Sequence, residues 1–344
     1  MIKISNLTTR LLYAAMLAGA MLAAPASIMA NNAHADPIFW SQQGWKTDFS
    51  KTTVDLARIL SGGPPKDGIP SIDNPLFEFV PGVDSLADNE PVVAVTISGD
   101  ARAYPLQILT WHEIVNDVVG DTPIAVTYCP LCNSAPVFER RLADGRIPTF
   151  GVSGKLKDSN LIMYDRQTET WWQQFTGDAI VGERVGQKLK LVPARLQSYG
   201  EFAAENPNGR VLVPNNPNMR DYGRNPYRAY DTNDKPFLYD GQLPEGIDPM
   251  ERVVIVPDEA GGDPTLVVMS KIAETGALEA EGLAFTWNAG QASALDTNRI
   301  EEGRDVGTVL VQRDGSDVAY DVTFAFVAHA FHPGVPMIGK REEG

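Results

Sequence analysis

Ile124-Ala125-Val126-Thr127-Tyr128-Cys129-Pro130-Leu131-Cys132-Asn133-Ser134-Ala135-Pro136-Val137-Phe138-Glu139-Arg140 is the stretch whose reading decides the fold. Ile124 to Tyr128 reads as a strand running into the cysteines. Asn133 to Pro136 are turn residues, and Val137 to Leu142 alternates like a second strand. A thioredoxin-type site follows its CxxC with a long helix, whose N-terminus lowers the pKa of the first thiol. Here a strand stands in that place. The only two cysteines of the 344-residue chain therefore sit in a tight turn between strands. Three readings stay open: a structural disulfide, a redox-active disulfide, or half of a soft-metal site. Cys-Pro-x-Cys knuckles aim two sulfurs at one ion and take further ligands from elsewhere.

Upstream, Val92 to Ile97 and Ala101 to Ile108 read as strands around the turn Ser98-Gly99-Asp100. Thr110-Trp111-His112-Glu113 fits a capping box, which predicts a helix to about Val119 and assigns Glu113 to capping. Such a helix, antiparallel to the following strand, brings His112 to the cysteine end. His112 is then the third ligand, or the base of a redox site. Asn116, one turn on, is expected to hold its ring, with Tyr128 flanking the cysteines. Met163, His329 and His332 are weaker candidate ligands. A Cys2His set leaves an open position, and its thiolates favour copper or zinc.

Downstream, strands are expected at Val137 to Leu142 and Ile147 to Val152, as a hairpin around Ala143-Asp144-Gly145-Arg146, and at Leu161 to Tyr164. A second capping box, Ser198 to Glu201, predicts a short helix ending near Glu205. Of the adjacent Trp171 and Trp172, one is expected in the core, and the other is a weaker candidate to line a groove. Asp165-Arg166 is expected to be an ion pair.

The same order of segments recurs. Arg252 to Val256 echoes Pro91 to Val95. Leu283-Ala284-Phe285-Thr286-Trp287 echoes Ile124 to Tyr128, and Gly307 to Val311 echoes Pro148 to Val152 at the same offset. That offset puts Asn288 and Gln291 where the cysteines stand. The expectation is a β-rich α+β fold with two related, mostly antiparallel β halves, 84–213 and 246–335, and short helices. An irregular segment (36–83) precedes them, an Asn/Pro/Tyr-rich connector (214–245) joins them, and a tail (336–344) follows. Chemistry is expected in the first half alone.

Residues 1–35 read as a signal peptide. Lys3 and Arg10 precede the apolar run Leu11 to Ala24, and Ala33-His34-Ala35 offers a cleavage site. The expected location is periplasmic or extracellular, with no membrane attachment after cleavage. The formal charge of −15 argues against nucleic acid and anionic lipid as partners. A periplasmic protein partner is compatible with it, and the sequence leaves the oligomeric state open. No GxGxxG, P-loop, HExxH or GxSxG occurs, so nucleotide, zinc-protease and serine-hydrolase readings have no support.

Several motifs together carry a family resemblance: Ala103-Tyr104-Pro105-Leu106, Trp111-His112-Glu113-Ile114-Val115-Asn116-Asp117, Val126 to Cys132 and Phe150-Gly151-Val152-Ser153-Gly154. Met163-Tyr164-Asp165-Arg166-Gln167-Thr168, Arg220-Asp221-Tyr222 and Asn225-Pro226-Tyr227 add to them. The chain resembles the bacterial family catalogued as domain of unknown function 3179 over most of 84–335. Asn133 stands where similar sequences often have Gly, and Asn also tolerates left-handed turns. The resemblance implies that His112 and the CxxC form one site, and it implies no reaction. Soft-metal binding is therefore the leading expectation. A thiol-disulfide oxidoreductase is the alternative, with Cys129 attacking, Cys132 resolving and His112 as base. A scaffold protein with a structural CxxC disulfide is the third.

Overall fold

The structure, a computed structural model, describes residues 36–340. The expected signal peptide and residues 341–344 lie outside the described residues. The fold is β-rich, 36% strand against 15% helix. No helix among the described residues is long and apolar enough to cross a membrane.

Five small sheets form a propeller-like arrangement, in place of the two expected β halves. The first sheet joins Ile59–Ser61 to Phe150–Lys157, Asn160–Asp165, Trp171–Gln173 and Ala179–Val181. The second runs Lys190–Val192, Val137–Glu139, Thr122–Thr127, Ile114–Val119. The third runs Arg195–Ser198, Pro91–Ile97, Asp100–Pro105, Arg210–Val213, Leu76–Phe79. The fourth is Asp321–Phe324, Arg252–Val256, Thr265–Val268, Met337–Ile338, and the fifth is Ala277–Ala280, Leu283–Asn288, Thr308–Arg313, Ser316–Asp317. All but two pairings are antiparallel.

The departure from two halves has a topological cause. Sheets recruit strands far apart in sequence, which local likeness cannot reveal. The segment 36–83, expected to be irregular, supplies strands to two sheets. Its Trp40 and Trp45 pack on Trp171 at ring-centroid distances of 4.9 and 5.1 Å. The expected tail contributes Met337–Ile338, parallel to 266–267. The expected hairpin around 143–146 is a turn between different sheets. Similarity between early and late segments does surface in one place. The third and fourth sheets share a strand order, antiparallel, antiparallel, then parallel. In each, a seven-residue helix, Tyr199–Glu205 or Ala325–Phe331, lies between the first strand and the parallel one.

The helix expected from Thr110 lies one turn earlier, at Leu106–His112, and Ile114–Val119 is a strand. The β-branched run Ile114, Val115, Val118 and Val119 favours the pleated state. Thr110 is no cap. Its hydroxyl donates within the helix to Leu106 O at 2.6 Å. Glu113 ends the helix at φ +59°. The Ser198–Glu201 capping box forms with both of its bonds.

The Gly62-Gly63-Pro64-Pro65 segment lies against the bulge at Gly154, and Gly62 N–H donates to Gly154 O at 2.9 Å. A Cβ at Gly154 would come 2.0 Å from Pro64 O, at φ +71°. Gly154→Ala is therefore expected to destabilise the fold by more than about 2 kcal/mol, measured by urea unfolding. A change below about 0.5 kcal/mol would show that the 62–65 segment is free to move away.

Candidate functional site

The turn that carries the cysteines is fastened to three other parts of the chain. Cys129 N–H donates to Ser134 O at 2.8 Å, closing the turn, and Asn133 takes the left-handed conformation at φ +50°. Asn thus serves where Gly would be the easier choice. The Asp321 carboxylate accepts from the Ser134 hydroxyl and, at 2.9 Å, from Ala135 N–H. Cys132 C=O accepts from Thr323 Oγ1 at 2.9 Å and from Phe324 N–H at 3.2 Å. Tyr230 of the connector donates its hydroxyl to Leu131 O at 3.0 Å.

The hairpin turn Asp158-Ser159 reaches the same place. Both residues have positive φ, +52° and +63°, as a two-residue primed turn requires. Hairpin tips commonly face water, yet Ser159 is fully buried. Its carbonyl faces both sulfurs, 3.8 Å from Cys129 Sγ and 3.6 Å from Cys132 Sγ. Asn160 Nδ2 lies 3.4 Å from Cys132 Sγ.

The two sulfurs are close and unbonded. Cys129 is 2% exposed and Cys132 is fully buried. Burial, with Cys129 alongside, pushes the Cys132 thiol well above its ordinary pKa. Glu113 is buried too, and desolvation raises its carboxyl to about 8. Burial raises the Tyr227 hydroxyl, and the nearby Glu113 and Cys129 raise it further. Tyr227 thus places the carboxyl and the first thiol in one neighbourhood. The Tyr128 hydroxyl, also near Cys129 and Tyr227, is buried with no hydrogen-bond partner. Asp321 is raised to about 6 by burial, against the bonds it accepts.

His112, the last residue of its helix, spends both ring nitrogens on other partners. Pro70 O can only accept, so Nδ1 carries the proton across their 2.7 Å bond. Nε2 then accepts from the Tyr222 hydroxyl at 2.8 Å. Asn116, on a strand, does not hold this ring. It bonds both backbone groups of Phe150, at 2.8 and 2.9 Å, and Asp73 Oδ1 at 2.8 Å. Met163 is fully buried in the apolar cluster that contains both cysteines. His329 lines a cavity of about 940 Å³ between 242–247 and 334–340. His332 ends its helix near Phe175, with ring centroids 6.3 Å apart. Among the described residues, no group of three or more His, Cys, Asp or Glu side chains could hold a metal ion. The expected Cys129–Cys132–His112 ligand set is therefore not assembled. The reason is the helix boundary, which turns His112 and Glu113 to different neighbours.

Trp171 and Trp172 are both fully buried, so neither lines a groove. Arg166 pairs with Asp73 at 2.9 Å, while Asp165 accepts from Trp172 and Thr168. Glu113, Ser159, Tyr227, Tyr230 and Asp321 were not expected at the site. Tyr227 lies in a motif of the resemblance, and Glu113 adjoins His112. Nothing in the sequence marks Ser159 or Asp321.

A family model described as "Protein of unknown function (DUF3179)" matches residues 66–335. The chain is a DUF3179 protein. No curated protein and no solved structure matches it. In this DUF3179 chain the Tyr-bearing motifs of the connector fall on two adjacent residues, Tyr222 on His112 and Tyr227 near Glu113.

Glu113 holds its proton more tightly folded than unfolded, about 8 against 4.5. The folded state therefore binds the extra proton between those values, and stability falls as pH rises through that window. Glu113→Gln is expected to flatten this fall. Its melting temperature should exceed the parent's at pH 8.5 and match it near pH 5, by thermal melts across that range. Parallel curves for the two proteins would show that Glu113 is not the titrating group.

Proposed function

We propose that this protein is an exported thiol-disulfide protein whose Cys129-Cys132 pair is the working dithiol. The observation that carries the reading is two adjacent, unbonded sulfurs that share the neighbour Tyr227 with a buried carboxyl, Glu113, whose pKa burial raises to about 8. Export rests on the N-terminal signal reading and on the cysteines' need for an oxidising space. In this reading Glu113, rather than His112, is the acid-base group. Cys129 loses its proton to solvent, the protonated Glu113 carboxyl gives its proton to the expelled partner thiolate, and Glu113 regains one from Cys132. The Cys129 thiolate attacks a disulfide of a partner protein and forms a mixed disulfide, expelling one partner thiolate. Cys132 then displaces the second partner sulfur, leaving the Cys129–Cys132 disulfide. The two thiol protons end on the two partner thiols, one by way of Glu113 and the other by way of solvent. Oxidation of this pair and reduction of the partner balance at two electrons.

Leu131 and connector residues Tyr227 and Tyr230 pack in the apolar cluster that holds the buried sulfurs, so access requires packing around them to shift. A long connector with one short 3-10 turn, Tyr230–Thr232, suits such movement. A raised thiol pKa disfavours the thiolate that stabilises reduced forms of oxidising dithiols. The pair should accordingly be reducing.

The clamps on the turn favour a second reading, a structural pair that only fastens sheets. Copper or zinc binding, with Met163, His329 or His332 as further donors, needs a rearrangement to gather a third ligand.

Titration of the mature protein in dithiothreitol and glutathione buffers decides among these. The expected potential is more negative than about −230 mV, with disulfide exchange slowed at least about tenfold at pH 7 in Glu113→Gln. A pair inert to these buffers whose Cys129→Ser variant merely melts lower would establish the structural reading. Stoichiometric copper or zinc, lost in Cys129→Ser, would establish the metal one.

A further inference from the structure

Beside His112 lies a cavity that the dithiol does not use. It encloses about 260 Å³, and its lining includes Ile72, Asp73, His112, Asn216, Met219 and Tyr222. That volume is at the small end for ligand sites, so a large cofactor is excluded. Its floor is rigid. The His112 ring is pinned at both nitrogens, by Pro70 O and by the Tyr222 hydroxyl, and the two rings stack at 17°. Burial, and then the Arg220 cation, keep His112 neutral.

The charges around the cavity point to the ligand's sign. Asp73 is neutralised by Arg166 at 2.9 Å and bonded by Asn116. Arg220 adjoins the lining residue Met219, whose O its guanidinium bonds at 3.0 Å, and its charge acts on His112; like Arg141, Arg228 and Arg313 it forms no ion pair among the described residues. Asn216 uses its carbonyl oxygen on Asn218 N–H at 3.0 Å, which leaves its amide N–H groups free to donate. The rest of the lining is apolar where it matters for a ligand body. Met219 is 46% exposed, and Ile72 and the Tyr222 ring face the same space.

We propose that this cavity binds a small organic carboxylate with an apolar body. The carboxylate pairs with Arg220 and accepts from the Asn216 amide. The body rests on Met219, Ile72 and the Tyr222 ring. His112 is a positioning residue in this site, because its Nε2 fixes the Tyr222 hydroxyl and with it the ring. The site shares none of its lining residues with the dithiol or with Tyr227 and Tyr230.

The test uses the mature protein labelled with ¹⁵N and ¹³C at histidine. Only His112, His329 and His332 remain in that chain, so the ring signals are assigned with His329→Asn and His332→Asn. Benzoate is the probe, and benzyl alcohol is its neutral counterpart of similar shape. Benzoate is expected to shift the His112 ring signals saturably, with benzyl alcohol binding at least about tenfold more weakly. Arg220→Gln, whose ligand-free spectrum should match the parent's, is expected to lose at least about tenfold in benzoate affinity. Tyr222→Phe, which keeps the ring but frees it from His112 Nε2, is expected to lose about threefold, less than Arg220→Gln. The proposal is overturned if benzoate gives no saturable shift at His112. It is equally overturned if benzyl alcohol binds as well, or if Arg220→Gln binds benzoate as tightly as the parent.

Discussion

The structure turns on one buried carboxylate. Asp321 receives the Ser134 hydroxyl, the Ala135 N–H and the Val322 N–H, and so ties the cysteine turn of the second sheet to the fourth. The carboxylate is out of water, and burial raises its pKa to about 6. A buried charge of this kind is tolerable only when its lone pairs are filled. The turn supplies two of those bonds. In return its backbone carbonyls find partners in Thr323, Phe324 and Tyr230. The cysteines are placed by this exchange of polar bonds, since neither sulfur bonds strongly to anything.

Backbone strain gathers around the same point. Glu113, Asn133 and Ser159 all have φ near +50 to +60°, a region that L residues with side chains avoid. Each has a local reason: a helix end, a tight turn and a hairpin tip. Their convergence on two thiols fits a pre-set geometry, held by packing around it rather than by the local chain. The Glu113 turn also separates two environments. Behind it His112 sits in a pinned, neutral, polar contact with Tyr222. Ahead of it Glu113 enters the apolar neighbourhood of the dithiol and keeps its proton.

Much of this was legible before any coordinates. The β-rich character, most strand positions in 91–165, the Ser198 capping box and the location of the one cysteine turn follow from period, composition and caps. The helix at 106–112 was misplaced because Thr110 and Glu113 match a cap pattern by type. The β-branched residues after Glu113 and the i−4 bond of Thr110 decide otherwise. That single shift gave His112 the partners Pro70 and Tyr222 and left Glu113 buried near Tyr227. Ser159 and Asp321 carry no sequence signal, because a buried hairpin tip and a distant carboxylate acquire their roles only from neighbours.

By itself the sequence determined the family, the β-rich class and the identity of the two thiols, since these follow from motifs and local pattern. Tertiary structure alone decided that five sheets replace two halves, because sheet membership depends on strands that meet from distant parts of the chain. It also decided which acid is buried near the connector's Tyr227. Burial, not residue type, makes Glu113 a proton holder and leaves His112 neutral. Burial is a property of the whole packed chain.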